Sequence, residues 1–150
     1  MKYFFYAIFV SFSIFLNAFS QSDINYRVEK YDSENGLSQN SVFCIHQDKK
    51  GFLYFGTENG LNKFDGYHFT NFFFEYSDST SGSKNVNWIY DIAEDNNNNL
   101  WLATRYGIAI FNIRNNKTKH IIIDTLAQKG ITFYSILFDG DSLIYLSSTT

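Results

Sequence analysis

The chain has 150 residues, no proline, a single cysteine and a formal net charge of −3. Its aromatic content (17 Phe, 11 Tyr, 2 Trp) excludes a disordered tail, which lacks the apolar surface to offset chain ordering, and suits a β-rich core. Mild acidity without a basic patch disfavours nucleic acid as a partner, and Cys44 standing alone excludes an intramolecular disulfide framework.

Met1-Lys2 precedes an apolar run over residues 3–16, and Ala18 and Ser20 supply small residues behind it. This is the order of a secretory signal, so residues 1–20 are predicted to form an N-terminal signal helix cleaved between Ser20 and Gln21. A retained anchor is the alternative, but the run is shorter than the ~20 residues a membrane span needs. Residues 21–150 are then the exported domain.

Adding 47 to Ile45, Asp48, Leu53, Thr57, Gly60 and Phe64 gives Ile92, Asp95, Leu100, Thr104, Gly107 and Phe111, which are the same residue types. A further 44 carries Ile92, Asp95, Trp101 and Thr104 onto Ile136, Asp139, Tyr145 and Ser148. The chain therefore carries two copies of one repeat, residues 41–72 and 88–123, and a truncated third, residues 132–150.

Within each copy, short aromatic and β-branched runs alternate with Asp, Asn and Gly clusters, the pattern of strands joined by tight turns. Strands are predicted over 42–46, 52–56, 61–65 and 67–72, and again over 89–93, 100–103, 108–113 and 119–123. Asp48-Lys49-Lys50-Gly51 reads as the first hairpin turn, with Asp accepting backbone N–H bonds and Gly taking positive φ. Asn59-Gly60 reads as a type I′ turn, whose two central residues both need positive φ.

Several strands are apolar on both sides, so both faces of each sheet need cover, and no segment after Gln21 has the apolar period of a helix. Neighbouring copies supply that cover. A period in the forties with four strands per copy predicts an all-β fold, a partial β-propeller of four-stranded antiparallel blades with about two and a half repeats. Residues 26–31 match an outer strand in pattern and are expected to close the last blade, with partner strands encoded beyond Thr150. The chain on its own is expected to expose strand edges and an apolar face, and to aggregate.

Tyr54, Trp101 and Tyr145 share one repeat position and are expected to join blade to blade, with a sugar-stacking platform as the alternative. The hydroxyls of Thr57, Thr104 and Ser148 are expected in strand-end hydrogen bonds rather than as nucleophiles. His46, His68 and His120 are placed on strands and lack the spacing of a metal site. No catalytic, metal or cofactor residues are expected. The residues that break the repeat at the turns after Thr57 and Thr104, namely Glu58, Asn59, Arg105 and Tyr106, are the candidates for ligand contact.

The stretch Asn35-Gly36-Leu37-Ser38-Gln39-Asn40-Ser41-Val42, the Asp48-Lys49-Lys50-Gly51 turn, Leu53-Tyr54-Phe55-Gly56-Thr57 and Asn59-Gly60-Leu61-Asn62-Lys63-Phe64 together resemble the two-component regulator propeller repeat. The chain departs from that pattern at Tyr54, where the family has tryptophan, at Asn98, where it has the hairpin glycine, and at Ser147-Ser148 for Gly-Thr. The resemblance implies the periplasmic sensor region of a bacterial receptor, a hybrid two-component system or sensor histidine kinase anchored in the inner membrane. It also implies a glycan or other small-molecule ligand, a second propeller or homodimer partner, and remaining blades in the same protein. The alternatives are a secreted propeller enzyme acting on carbohydrate and a propeller that only binds proteins, since fold alone does not settle function.

Overall fold

The structure is a computed structural model, and it describes residues 26–78, 82–121, 132–139 and 143–148. The signal segment, Ser20 and Gln21 lie outside the described residues. Two compact units divide the chain, Met1–Lys30 and Tyr31–Thr150. In the first, residues 26–30 have no regular secondary structure, so no strand forms there, and Tyr26 and Val28 are exposed.

The second unit opens with a single 3-10 turn, Ser33–Asn35, capped by Asp32. β1 (Val42–Gln47), β2 (Leu53–Thr57), β3 (Gly60–Phe64) and β4 (Phe69–Phe72) then form an antiparallel sheet in the order β1-β2-β3-β4. A hairpin, β5 (Glu75–Asp78) and β6 (Gly82–Asn85), leads to the second sheet. That sheet contains β7 (Ile89–Glu94), β8 (Asn99–Thr104), β9 (Gly107–Asn112) and β10 (Lys117–Ile121), ordered again as a meander. β11 (Phe133–Asp139) and β12 (Leu143–Ser148) pair as the start of a third. Between sheets, the first strands β1, β7 and β11 approach most closely, as the inner strands of propeller blades do.

The turns explain the strand ends. Asp48 Oδ1 accepts the N–H groups of Lys50 (2.9 Å) and Phe52 (3.0 Å), and Gly51 follows at φ +91°. Asp95 Oδ1 does the same for Asn97 and Asn99, with Asn98 at φ +61° in the place of the glycine. Asn tolerates the left-handed region better than other non-glycine residues, so the turn survives the exchange.

Three local expectations are corrected. Asn59 does not adopt positive φ, so its turn is not type I′. Thr57 Oγ1 accepts the Asn59 N–H (3.0 Å) and donates to Gly60 O (3.0 Å), which centres the turn on Glu58-Asn59 and leaves Gly60 to follow at φ +97°. The fourth strand begins at Phe69 rather than at residue 67, because Asp65 Oδ1 draws in the N–H groups of Tyr67 and His68. His68 therefore sits in a turn, while His46 and His120 are on strands.

The core lies between sheets. Tyr54, Leu61 and Phe72 of the first sheet pack with Phe74, Val86, Ile89, Ile92, Leu100, Leu102 and Phe111. On the far side of the second sheet, Ala93, Trp101, Ala103 and Ile108 pack with Phe133, Ile136 and Ile144. The middle sheet is thus covered on both faces, which is why its strands read as continuous apolar runs. Trp101 meets Phe138 edge-on at 5.6 Å, and Tyr54 is fully buried. Tyr145, expected as a third blade-joining ring, is 53% exposed. Its repeat position faces the following sheet, and no described residue of this chain covers that side.

The two seams differ in chemistry. Between the first and second sheets, His46 Nε2 lies 3.6 Å from Glu94 Oε2, which accepts the Lys49 N–H at 3.2 Å. At the corresponding positions of the next seam stand Ala93 and Phe138. Cys44 faces Ile89 across the first seam, and burial, followed by the nearby charge of Asp91, pushes its thiol up to about 12. The thiol is therefore an inert filler.

Candidate functional site

Each inner strand carries one irregularity at the same place. Pairing with the second strand slips between Val42 and Cys44, between Ile89 and Asp91, and between Phe133 and Ser135. The extra residue is aromatic every time: Phe43, Tyr90 and Tyr134. A bulge inserts a residue without a ladder partner and re-aims its side chain, a device common beside binding sites.

The three rings form a track across the sheets. Phe43 and Tyr90 have centroids 5.3 Å apart, and Tyr90 and Tyr134 4.8 Å apart. Trp88 joins them, 6.4 Å from Phe43 and 6.3 Å from Tyr90. Phe43 and Tyr134 are 43% and 46% exposed, so the track is open to solvent rather than sealed as core.

Register places the sequence candidates at the same end. Val42 pairs with Thr57 and Ile89 with Thr104, so the turns after the two threonines flank the bulges. Arg105 lies over the Trp88 ring at 4.8 Å and over the Tyr106 ring at 5.7 Å. Its N–H donates to Trp88 O at 3.2 Å, and Gly60 N–H donates to Asn87 O at 2.9 Å, which stitches both turns to the segment before β7. Glu58 accepts Gln39 Nε2 at 3.3 Å. Burial raises the Tyr90 phenol, the Tyr134 hydroxyl adds to this, Arg105 opposes it, and Glu58 and Tyr106 contribute less. These causes place Glu58, Arg105, Tyr106 and Tyr134 in one electrostatic neighbourhood around Tyr90.

Asn59 stands apart: it is exposed and enters the arrangement through its backbone bond to Thr57. The threonine hydroxyls are occupied, Thr57 Oγ1 donating to Gly60 O and Thr104 Oγ1 to Gly107 O at 2.9 Å, so both serve the turns. The arrangement offers stacking faces, one cation and one carboxylate. Sequence reasoning missed Phe43, Trp88, Tyr90 and Tyr134. The usable signal was an aromatic at positions 43, 90 and 134 of successive copies, hidden because it sits in runs that are otherwise apolar.

The family model for the two-component regulator propeller matches residues 36–59 and 83–106. A histidine kinase of Formosa agariphila is 40% identical over 72 residues, covering 48% of this chain and 5% of that protein. A crystal structure of the extracellular domain of a putative hybrid two-component system from B. thetaiotaomicron superposes with a TM-score of 0.67 at 21% identity. It covers 81% of this chain and 16% of that one. A second crystal structure, of an extracellular domain described as that of a putative one-component system from the same organism, gives a TM-score of 0.67 at 20% identity, with the same coverage of each chain. The chain thus spans a small part of the proteins it matches. Two repeated turns, two four-stranded meanders and two matched segments converge: the chain carries two segments that match the two-component regulator propeller repeat, on a fold similar to part of a propeller-bearing extracellular domain.

Proposed function

We propose that this chain is the N-terminal part of the extracytoplasmic ligand-sensing propeller of a two-component receptor, with no catalysis of its own. The observation that carries the reading is the aromatic track: three successive bulges each add a ring at one end of the inner strands, and the rings of Phe43 and Tyr134 are exposed. Aromatic faces stack on flat apolar surfaces, and the hydroxyls of Tyr90 and Tyr134 add polar tips, a combination suited to a glycan or other small ring-bearing ligand. In this reading residues 1–20 direct export, and further blades, a second propeller and the cytoplasmic output lie elsewhere in the protein. Ligand binding across the inner strands of three blades would alter their packing, and that change would pass to the output domain.

The test uses the full-length protein in cells, with a reporter for the output response and a panel of neutral and acidic oligosaccharides as probes. Tyr90→Ala combined with Tyr134→Ala is expected to abolish the induced response at unchanged receptor abundance. A double variant that responds like the parent would remove the track from the function.

A further inference from the structure

We propose that the ligand of the aromatic track carries an anionic group and that Arg105 is the residue that reads it; this rests on the track being the sensing surface. Arg105 is held at both its backbone and its guanidinium. Its N–H donates to Trp88 O (3.2 Å) and its carbonyl accepts Thr132 Oγ1 (3.5 Å), so the backbone is tied to the segment before β7 and to the one before β11. Its guanidinium lies over Trp88 at 4.8 Å and over Tyr106 at 5.7 Å. A guanidinium stacked on ring faces keeps its in-plane N–H donors directed outward, the geometry that meets a carboxylate or sulfate with two parallel bonds.

The chain has 15 acidic residues against 12 basic ones, so a carboxylate partner would be easy to supply. Among the described residues, however, Arg105 takes part in no ion pair, whereas Arg27 and Lys49 do. Glu58 holds the same repeat position one copy earlier, and Gln39 Nε2 binds its Oε2 at 3.3 Å, which draws that carboxylate toward the first sheet. The field of Arg105 reaches the track, since it opposes the rise of the Tyr90 phenol. A neutral ligand would use the rings and leave this prepared cation idle. A cationic ligand would be repelled by it. An acidic oligosaccharide, with a uronate or sulfate beside a flat ring face, uses both.

Calorimetric titration of the full-length protein tests this with three matched trisaccharides, one bearing galacturonate, one bearing sulfated galactose and one of neutral galactose. One of the acidic probes is expected to bind roughly tenfold or more tightly than the neutral one, and the two acidic arms distinguish carboxylate from sulfate. Arg105→Gln should erase that preference, Arg105→Lys should keep part of it, and Tyr90→Ala should weaken every probe. Binding of the neutral probe that is lost in Tyr90→Ala but unchanged in Arg105→Gln overturns the anion assignment and leaves the sensing track in place. Preference for an acidic probe that persists in Arg105→Gln also overturns the assignment. If the parent protein binds none of the three, the sensing reading fails and the assignment with it.

Discussion

Tyr54 and Trp101 occupy one repeat position, and the fate of their polar ends separates them. Trp101 Nε1 donates to Asp95 Oδ2 at 3.0 Å, whereas the buried Tyr54 hydroxyl has the Asp48 carboxylate beside it but does not reach the geometry of a full hydrogen bond. Burial, and then the charge of Asp48 beside it, hold the Tyr54 phenol well above its ordinary range. Tyr54→Phe is therefore expected to leave stability unchanged or raise it by up to about 1 kcal/mol, while Tyr54→Ala should cost about 3–5 kcal/mol, both read by urea denaturation. Asn98→Ala should cost about 1–2 kcal/mol by forcing a methyl into the left-handed region, and Asn98→Gly should not. At this scale the Asp-x-x-Gly turn was legible because a short acceptor and a flexible residue at fixed spacing leave few alternatives. The Asn59-Gly60 turn was not, since the deciding atom is the Thr57 hydroxyl, which captures the Asn59 N–H and shifts the turn by one residue.

Among the elements, the seam between sheets is set by a single small residue. A Cβ at Gly56 would collide with Cys44 Sγ and lie 2.8 Å from Ile89 Cγ2. Gly56→Ala should cost about 1–3 kcal/mol by overpacking, and adding Cys44→Ala should return part of that, a non-additivity visible in a double-mutant cycle. The Asp95 turn makes stability depend on acid. Burial alone would raise its carboxyl, but bonds from the Asn99 side chain and backbone, the Trp101 indole and the Asn97 backbone hold it below the ordinary value. A depressed folded value contributes stability that is present above the unfolded value, ~3.9, and is lost as pH falls through the folded one. Denaturation midpoints taken from about pH 6 to about pH 3 should fall, and Asp95→Asn should flatten that limb. The strands could be read because their apolar runs sit between strong turns. The β5–β6 hairpin could not, because its polar Ser- and Gly-rich composition matches a loop. Nor could the bulges, since an extra aromatic in an apolar strand leaves no trace of its direction.

For the molecule as a whole, burial at equivalent positions shows which faces want partners. Ile92 and Ile136 are buried against the preceding sheet, whereas Ile45, their counterpart in the first sheet, is 62% exposed. Leu137 and Tyr145, on the face that leads onward, are 62% and 53% exposed. The 150-residue polypeptide expressed by itself is expected to self-associate through these faces, and Ile45→Lys with Leu137→Lys should raise the monomer fraction in sedimentation velocity. A parent chain that sediments as a single monomer would contradict this. The architecture was legible from the repeat alone, because a period in the forties and two-sided strands admit few solutions.

The unlike seams have a further consequence for how such an array can grow. Unequal crossing-over that duplicated the middle repeat would set Glu94 of the new copy against Ala93 of the old one, leaving a carboxylate that is 6% exposed facing a methyl group instead of His46 and Lys49. Losing both neighbouring cations destabilises a buried carboxylate even where a backbone N–H still reaches it, so the duplicated gene would yield a less stable product until one of the two positions changed. The blades are therefore ordered parts, each keyed to its neighbour, and their sequence divergence records that keying.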